Sequence, residues 1–349
     1  MQALTWDVFC RVVDNFGDIG VCWRLAADLG ARGERVRLWT DDASALHWMA
    51  PAGAAGVEVR AWPHGGVDTA AGDVVVEAFG CELPDAFVRR MANAPQPPLW
   101  INLEYLSAEG FVERSHRLRS PPASGVGAAL RKWFFFPGFT LRTGGLIREQ
   151  NLLQHLQAFD ASAWLAARGI VPRDGEQIVS LFCYAQPALP ALLEQLAQRP
   201  TLLLAADGQA ARQTTEWLGP TQRRGLLRSV AMPALSQADY DRLLWACDLN
   251  FVRGEDSFVR AQWAGKPFVW QIYPQHDDAH LRKLDAFLDR FGASTELRAV
   301  WHAWNAGAST LADVSAVPAW QSQCLSWRGT LSTQTDLSTQ LIGFVTDTR

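Results

Sequence analysis

The sequence predicts an α/β protein with two similar halves, and three observations support this fold class. In the first part of the chain, short apolar runs alternate with segments of helical periodicity, as they do in a mostly parallel, helix-covered sheet. The same alternation restarts at residue 178, after an irregular stretch around 121–138 that is rich in Pro, Gly and Phe. The length of 349 residues, 48% of them hydrophobic, exceeds the usual size of one core and indicates about two domains.

The strands of the first half are predicted from apolar runs bounded by polar or turn residues. These runs cover 6–13, 35–39, 57–62, 73–78 and 99–103, and the stretch 133–138 is expected to hold a last strand. After the first run, Val21, Leu25 and Leu29 recur at helical spacing and predict the first helix.

The second half repeats this organisation. Its predicted strands cover 178–184, 201–206, 248–252 and 268–272, and its predicted helices cover 188–196, 239–246 and 257–264. The region after about residue 277 is expected to be mostly helical, and the boundary between the halves is expected between 150 and 175.

Composition excludes several classes of protein. The formal charge of −4, without basic runs, argues against nonspecific binding to nucleic acid or to an anionic membrane. No stretch reaches the roughly 18 uninterrupted apolar residues of a membrane span, and the first ten residues lack the layout of a signal peptide. We therefore expect a cytoplasmic protein. The six scattered cysteines form no Cys-x-x-Cys pair and are predicted to be buried, reduced thiols.

Two carboxylates, Asp14 and Asp18, lie where the first predicted strand gives way to the first helix. This junction is where nucleotide-using α/β folds place their chemistry. Gly17 and Gly20 allow close approach of the backbone, and the acidic pair favours proton acceptance or cation binding over phosphate binding. The alternative is structural, with one acid ending the strand and the other capping the helix. A dinucleotide-binding turn is weakly supported, because the first glycine of Gly-x-Gly-x-x-Gly is missing.

A second polar cluster, residues 253–257, joins a predicted strand to a predicted helix. Arg253, a tight turn at Gly254, the hydroxyl of Ser257 and free N–H groups of the helix suit a diphosphate. Glu255 and Asp256 fit that site if one accepts hydrogen bonds from sugar or ribose hydroxyls and the other contacts a backbone group or an arginine. An ordinary capping turn is an equally good interpretation of this spacing.

Three aromatic residues are expected at the same sheet edge. Phe182 and Tyr184 alternate at the end of a predicted strand, so both would face one side and could flank a flat base. Tyr273 follows the strand 268–272 and has a hydroxyl suited to a phosphate. Core packing is the common alternative for such a Phe.

Residues 6–26 and 253–262 together closely resemble the EarP family, protein-arginine rhamnosyltransferases of bacterial elongation factor P, with anchors over 6–42, 178–184 and 250–280. The resemblance implies a GT-B glycosyltransferase fold, in which two Rossmann-like domains face each other across a cleft. Residues 1–160 would form the acceptor-binding domain and residues 161–330 the nucleotide-sugar-binding domain, while a helix in 331–349 would pack back on the first domain.

The resemblance also implies the chemistry. L-Rhamnose would pass with inversion from dTDP-β-L-rhamnose, as co-substrate, to an arginine of elongation factor P, which this would activate, without a cofactor or a metal. Asp18 would be the catalytic base and Asp14 its acidic partner. The residues implied in donor binding are Asn15, Phe16, Gly17, Phe182, Tyr184, Arg253, Gly254, Glu255, Asp256, Ser257 and Tyr273. The alternatives are a nucleotide-sugar enzyme of the epimerase type, a non-catalytic regulator that binds a nucleotide or protein and, most weakly, an NAD-dependent oxidoreductase.

Overall fold

The computed structural model describes residues 3–13, 16–62, 69–120, 126–128, 130–274, 279–315 and 317–349. The chain divides into two compact units, which we call unit 1 (residues 1–149 and 334–349) and unit 2 (residues 150–333). Each unit contains its own six-stranded sheet.

The sheet of unit 1 is parallel throughout and has the strand order β3-β2-β1-β4-β5-β6. Its strands are β1 (Thr5–Cys10), β2 (Arg35–Thr40), β3 (Val57–Ala61), β4 (Val74–Ala78), β5 (Leu99–Leu103) and β6 (Lys132–Phe135). From β1 the chain builds the sheet in one direction through β2 and β3, then returns to the other side of β1 with β4. The gap between the carboxyl ends of β1 and β4 is therefore the topological switch point, where ligands bind in such sheets.

Helices cover both faces of this sheet. The first four are α1 (Gly17–Ala31), α2 (Leu46–Met49), α3 (Asp85–Asn93) and α4 (Gly110–Ser115). On one face, Leu25 of α1 packs with Leu38 and Ile101 in the larger core cluster. On the other face, Phe9 packs with Phe87 of α3 in a second cluster. Burial on both faces explains why the strands are continuous apolar runs.

Unit 2 has the strand order β12-β11-β7-β8-β10-β9, and only the β9–β10 pair in it is antiparallel. Its strands are β7 (Gln177–Leu181), β8 (Thr201–Ala205), β9 (Arg223–Arg224), β10 (Leu227–Ala231), β11 (Leu249–Arg253) and β12 (Phe268–Gln271). The direction of building reverses at β7, because β8 and β10 lie on one side of it and β11 on the other. The switch point of this sheet is between the carboxyl ends of β7 and β11.

The helices of unit 2 are mostly short. They are α5 (Leu152–Gln157), α6 (Ala161–Ala166), α7 (Leu189–Leu196), α8 (Gln209–Leu218), α9 (Gln237–Ala246), α10 (Gly254–Ala264), α11 (Ala279–Phe291), α12 (Thr295–Asn305) and α13 (Gln321–Ser332), with a 3-10 turn at Val317–Trp320. A buried ion pair fixes α10 to α9: the guanidinium of Arg260 donates to both carboxylate oxygens of Asp241, at 2.9 and 2.7 Å. Among the described helices of both units, none combines the length and apolarity needed to cross a bilayer.

The last helix, α14 (Leu337–Thr348), belongs to unit 1. Leu341 and Phe344 are buried in the larger core cluster of that unit. At the start of the helix, the Asp336 carboxylate accepts from the backbone N–H of Thr339 at 2.9 Å and pairs with Arg32 of α1 at 2.8 Å. The chain end thus contributes both apolar packing and an ion pair to the first unit.

Three predicted element boundaries are wrong, each by about three residues. The first strand ends at Cys10 instead of residue 13, and beyond it Val12 donates its N–H to the Asp41 side chain at 2.9 Å. The strand 178–184 ends at Leu181, after which the N–H of Tyr184 donates to the side chain of Gln271 at 2.9 Å. The helix predicted at 257–264 begins at Gly254, so the predicted polar turn is its first turn.

The buried, reduced state of all six cysteines is confirmed.

The packing of α14 gives a first testable prediction. Leu341 is completely buried, so Leu341→Ala removes apolar contacts and leaves a cavity, which lowers the free energy of unfolding by about 2–5 kcal/mol. Urea denaturation followed by circular dichroism measures this change. Thr346→Ala, at an exposed position of the same helix, should change stability by about 0.5 kcal/mol at most. Equal stability of the two variants would contradict the core role of α14.

Candidate active site

Asp18 is in the first turn of α1, next to the switch point of unit 1. Its side chain is 3% exposed, yet both carboxylate oxygens have donors. The backbone N–H of Val13 donates to Oδ2 at 2.9 Å, and the hydroxyl of Tyr105 donates to Oδ1 at 3.2 Å. Hydrogen bonds from two sides fix the plane of this carboxylate.

The ring of Tyr105 is stacked on that of Phe79, with centroids 4.3 Å apart and planes 12° from parallel. Tyr105 follows β5 and Phe79 follows β4, so their parallel strands bring both rings to one edge of the sheet. Tyr105 is 40% exposed, which leaves this stack accessible beside the buried carboxylate.

The other residues predicted near this junction are less closely associated with Asp18. Gly17 is the first residue of α1. Phe16 precedes it, is 40% exposed, and contacts the edge of Trp48 at a centroid distance of 5.1 Å. Asp14 and Asn15 lie outside the described residues. Their assignments as acidic partner and donor contact stay predictions, as does the assignment of Phe16 and Gly17 to the donor.

In unit 2, Arg253 ends β11 and its guanidinium lies between two aromatic rings. The guanidinium carbon is 4.3 Å from the ring centroid of Phe182 and 4.4 Å from that of Tyr184. Both rings follow β7, so the cation lies at the switch point between β7 and β11. Cation–π contacts on both sides hold the guanidinium while leaving its N–H donors available to an anion.

The first turn of α10 is closed by Ser257. The backbone N–H of Arg253 donates to Ser257 Oγ at 3.1 Å, and the Ser257 hydroxyl donates to the carbonyl of Arg253. Gly254 has φ +65°, a conformation that L side chains rarely adopt, and its carbonyl accepts from the indole N–H of Trp270 at 2.7 Å. Ser257 therefore shapes the turn, and a phosphate contact from its hydroxyl would have to replace the bond to Arg253.

Glu255 and Asp256 are also in the first turn of α10, where carboxylates interact favourably with the helix dipole. Asp256 accepts from the side-chain amide of Gln237 on α9 at 3.3 Å. The turn therefore presents both signs of charge, the Arg253 cation and two carboxylates, which fits a ligand with phosphate and hydroxyl groups.

Tyr273 is 42% exposed and contacts the edge of Tyr184 at a centroid distance of 5.6 Å. The chain before it is fixed by Asn305, whose carboxamide accepts from the N–H of Ile272 at 2.9 Å and donates to the carbonyl of Trp270 at 2.8 Å. The structure thus brings Phe182, Tyr184, Arg253 and Tyr273 to one edge, as expected from the sequence.

Burial controls the chemistry of the Cys183 thiol, which lies between Phe182 and Tyr184 in the sequence. The pKa of Cys183 is raised to about 12 by burial, and the charge of Arg253 opposes this change only in part. Cys183 is therefore a neutral packing residue at ordinary pH and supplies no nucleophile. Among the described residues, no group of three or more His, Cys, Asp or Glu side chains has the arrangement of a metal site.

Four side chains at the two edges were not singled out from the sequence. Phe79 and Tyr105 adjoin Asp18, while Gln271 and Asn305 fix the backbone around Tyr184 and Tyr273. The sequence could have indicated the first two, because Phe79 directly follows the predicted strand 73–78, Tyr105 comes two residues after the predicted strand 99–103, and parallel strands share one carboxyl edge.

Comparisons with known proteins identify relatives along nearly the whole chain. Residues 6–346 match the family model described as "Elongation-Factor P (EF-P) rhamnosyltransferase EarP". A protein-arginine rhamnosyltransferase of Pseudomonas aeruginosa is 44% identical, with 98% of this chain and 99% of the relative covered. One of Pseudomonas putida is 45% identical, with 97% and 98% covered.

Among solved structures, one described as the structural basis for EarP-mediated arginine glycosylation of translation elongation factor EF-P matches with a TM-score of 0.70 and 34% identity. It covers 99% of this chain and 100% of the other. The glycosyltransferase SnogD from Streptomyces nogalater matches with a TM-score of 0.51 at 13% identity, over 98% of this chain and 100% of the other, and shows the fold alone.

These likenesses confirm the predicted GT-B fold class and the predicted family. The fixed carboxylate of unit 1 and the aromatic-flanked arginine of unit 2 lie at the switch points where such a fold binds its ligands. With a family match over residues 6–346 and relatives 44% and 45% identical over nearly the whole length, the chain belongs to the EarP family of elongation factor P rhamnosyltransferases.

Proposed function

We propose that this enzyme transfers L-rhamnose from dTDP-β-L-rhamnose to an arginine side chain of elongation factor P, with inversion at the anomeric carbon. The observation that carries the proposal is the Asp18 carboxylate, buried and held by two donors at the switch point of unit 1. An epimerase-type enzyme and a non-catalytic regulator are not favoured, since the named relatives are protein-arginine rhamnosyltransferases. Because the acceptor is a translation factor, we place the enzyme in the cytoplasm.

In this proposal, unit 1 binds the acceptor arginine. An arginine guanidinium has a pKa above about 12, so it is positively charged and a poor nucleophile until it is oriented and loses a proton. A carboxylate with a fixed plane attracts the cation, orients it through hydrogen bonds and accepts its proton. We assign the proton acceptance to Asp18 and assign Asp14 as its acidic partner.

In this proposal, unit 2 binds the donor. Phe182 and Tyr184 offer flat apolar surfaces for the thymine base, and Arg253 with the N–H groups of the first turn of α10 offers positive charge to the diphosphate. Glu255 and Asp256 are acceptors for ribose or sugar hydroxyls, and the phenol of Tyr273 is a donor to a phosphate. These groups supply the stabilisation that the leaving diphosphate needs, so the proposal assigns no role to a metal ion.

The reaction is a single displacement. The acceptor nitrogen attacks the anomeric carbon from the side opposite the diphosphate, the carbon–nitrogen bond forms, and the carbon–oxygen bond to the diphosphate breaks. The proton of the guanidinium passes to Asp18 and then to solvent, and dTDP leaves as the anion. Attack from the opposite side converts the β-L donor into an α-L-rhamnosyl arginine.

Intact-mass spectrometry of the acceptor tests this function. Incubation with dTDP-β-L-rhamnose and unmodified elongation factor P should add the mass of one deoxyhexose to the factor. Asp18→Asn should reduce the rate at least about a hundredfold, because an amide cannot accept the proton. Asp85→Asn, which replaces an exposed carboxylate in the first turn of α3, is the matched control and should keep the wild-type rate.

No mass gain with the wild-type enzyme, despite donor binding, would refute the proposed reaction. Mass gain at an undiminished rate with Asp18→Asn would refute only the assignment of the base.

The donor site gives a separate prediction. Arg253→Met keeps an unbranched chain between the rings of Phe182 and Tyr184 but removes the charge, so dTDP affinity should fall about tenfold to a hundredfold, the value of hydrogen bonds to a charged group. Isothermal titration calorimetry measures the affinity of each variant for dTDP. Arg242→Met, which removes a partly exposed arginine paired with Asp239 in the same unit, is the control. If both variants bind dTDP as the wild type does, Arg253 does not contact the diphosphate.

A further inference from the structure

The strongest unexplained feature near the active site is the turn that holds Phe79. The N–H of Cys81 donates to the carbonyl of Ala78 at 3.2 Å, and the two residues between them, Phe79 and Gly80, have φ values of +58° and +64°. Positive φ at both central positions is the pattern of a type I′ turn, which selects Gly, Asn or Asp. A phenylalanine in the first of these positions is strained.

The partly buried Phe79 side chain packs against the larger core cluster of unit 1 as well as on Tyr105. A strained backbone persists when the surrounding contacts hold it in place, and such positions concentrate at functional sites. The N–H of Phe79 donates to the carbonyl of Leu103 at 2.7 Å, so the turn is tied to the end of β5, two residues before Tyr105. The strained turn places the Phe79 ring flat against the ring of Tyr105.

The stack in turn fixes Tyr105. Tyr105 is 40% exposed, and the stacked Phe79 ring covers one face of the tyrosine ring. With the ring held, the Tyr105 hydroxyl reaches Oδ1 of Asp18 at 3.2 Å. The other oxygen of that carboxylate is held independently by the Val13 N–H at 2.9 Å. Loss of the tyrosine hydroxyl therefore removes a donor to Oδ1, while the Val13 N–H still holds Oδ2.

We infer that Tyr105, supported by Phe79, is a positioning residue for Asp18. The tyrosine hydroxyl sets the plane of the carboxylate, and with it the direction from which the proton of the acceptor nitrogen is accepted. Tyr105 exchanges no proton in this role and acts only through Asp18. The inference rests on the proposed function, since it concerns the same proton transfer.

The test uses Tyr105→Phe, which keeps the ring and its stack on Phe79 and removes only the hydroxyl. We expect kcat for transfer to elongation factor P to fall about tenfold, because a small misplacement of the base is costly in rate. The KM for the acceptor and the affinity for dTDP should stay within about twofold, since the hydroxyl acts on the base. Ser162→Ala, which removes an exposed hydroxyl-to-carboxylate hydrogen bond of 2.7 Å in unit 2, is the matched control and should keep wild-type kinetics.

The decisive comparison repeats Tyr105→Phe in the Asp18→Asn background, with residual transfer followed by intact mass over hours. If the tyrosine acts through Asp18, the second substitution causes no further loss. The same fold-loss in both backgrounds, or full activity of Tyr105→Phe alone, would overturn the inference. Phe79→Leu, which removes the stacked ring, should reproduce the loss of kcat with the same acceptor KM. Wild-type kcat and acceptor KM for Phe79→Leu would show that the stack has no part in positioning Tyr105.

These outcomes separate the inference from the proposed function. Absence of transfer by the wild-type enzyme overturns both. Transfer by the wild type with no effect of Tyr105→Phe overturns the positioning role alone.

Discussion

The orientation of one buried carboxylate is the constraint on which the proposed chemistry of this protein depends. A base that takes a proton from a guanidinium must meet it at hydrogen-bond distance, and small misplacements of reacting groups are costly in rate. The proposed base, Asp18, is held for this role by donors from two separate segments, the Val13 N–H before α1 and the Tyr105 hydroxyl after β5. The parallel sheet of unit 1 brings those segments to one edge.

The two units use the same topology for opposite charges. Each sheet reverses its direction of building beside its first strand, β1 in unit 1 and β7 in unit 2, and each has its candidate site at that reversal. Unit 1 places the carboxylate of Asp18 there, which suits a cationic acceptor. Unit 2 places the guanidinium of Arg253 there between two rings, which suits an anionic donor. The proposed substrates, an arginine and a nucleoside diphosphate sugar, have these charges.

Features set by local sequence were predictable, whereas features set by contacts between segments distant in sequence were not. The apolar runs located β2, β4 and β5 to within about a residue, and Asp18 was identified because the strand-to-helix junction marks it. The ends of β1 and β7 were wrong because side chains of Asp41 and Gln271, distant in sequence, capture the backbone there. The stack of Phe79 on Tyr105 depends on the register of β4 against β5 and on a positive φ, neither of which a single sequence states.

The central claim is that Asp18 acts as a base in one displacement and not as a nucleophile in two. The configuration of the product distinguishes these directly, because one displacement inverts the anomeric carbon and two displacements restore it. The measurement is the one-bond carbon–hydrogen coupling at the anomeric centre of the rhamnosyl arginine, by NMR on modified elongation factor P. The account predicts an α-L-rhamnosyl product from the β-L donor, and a β-L product would contradict it.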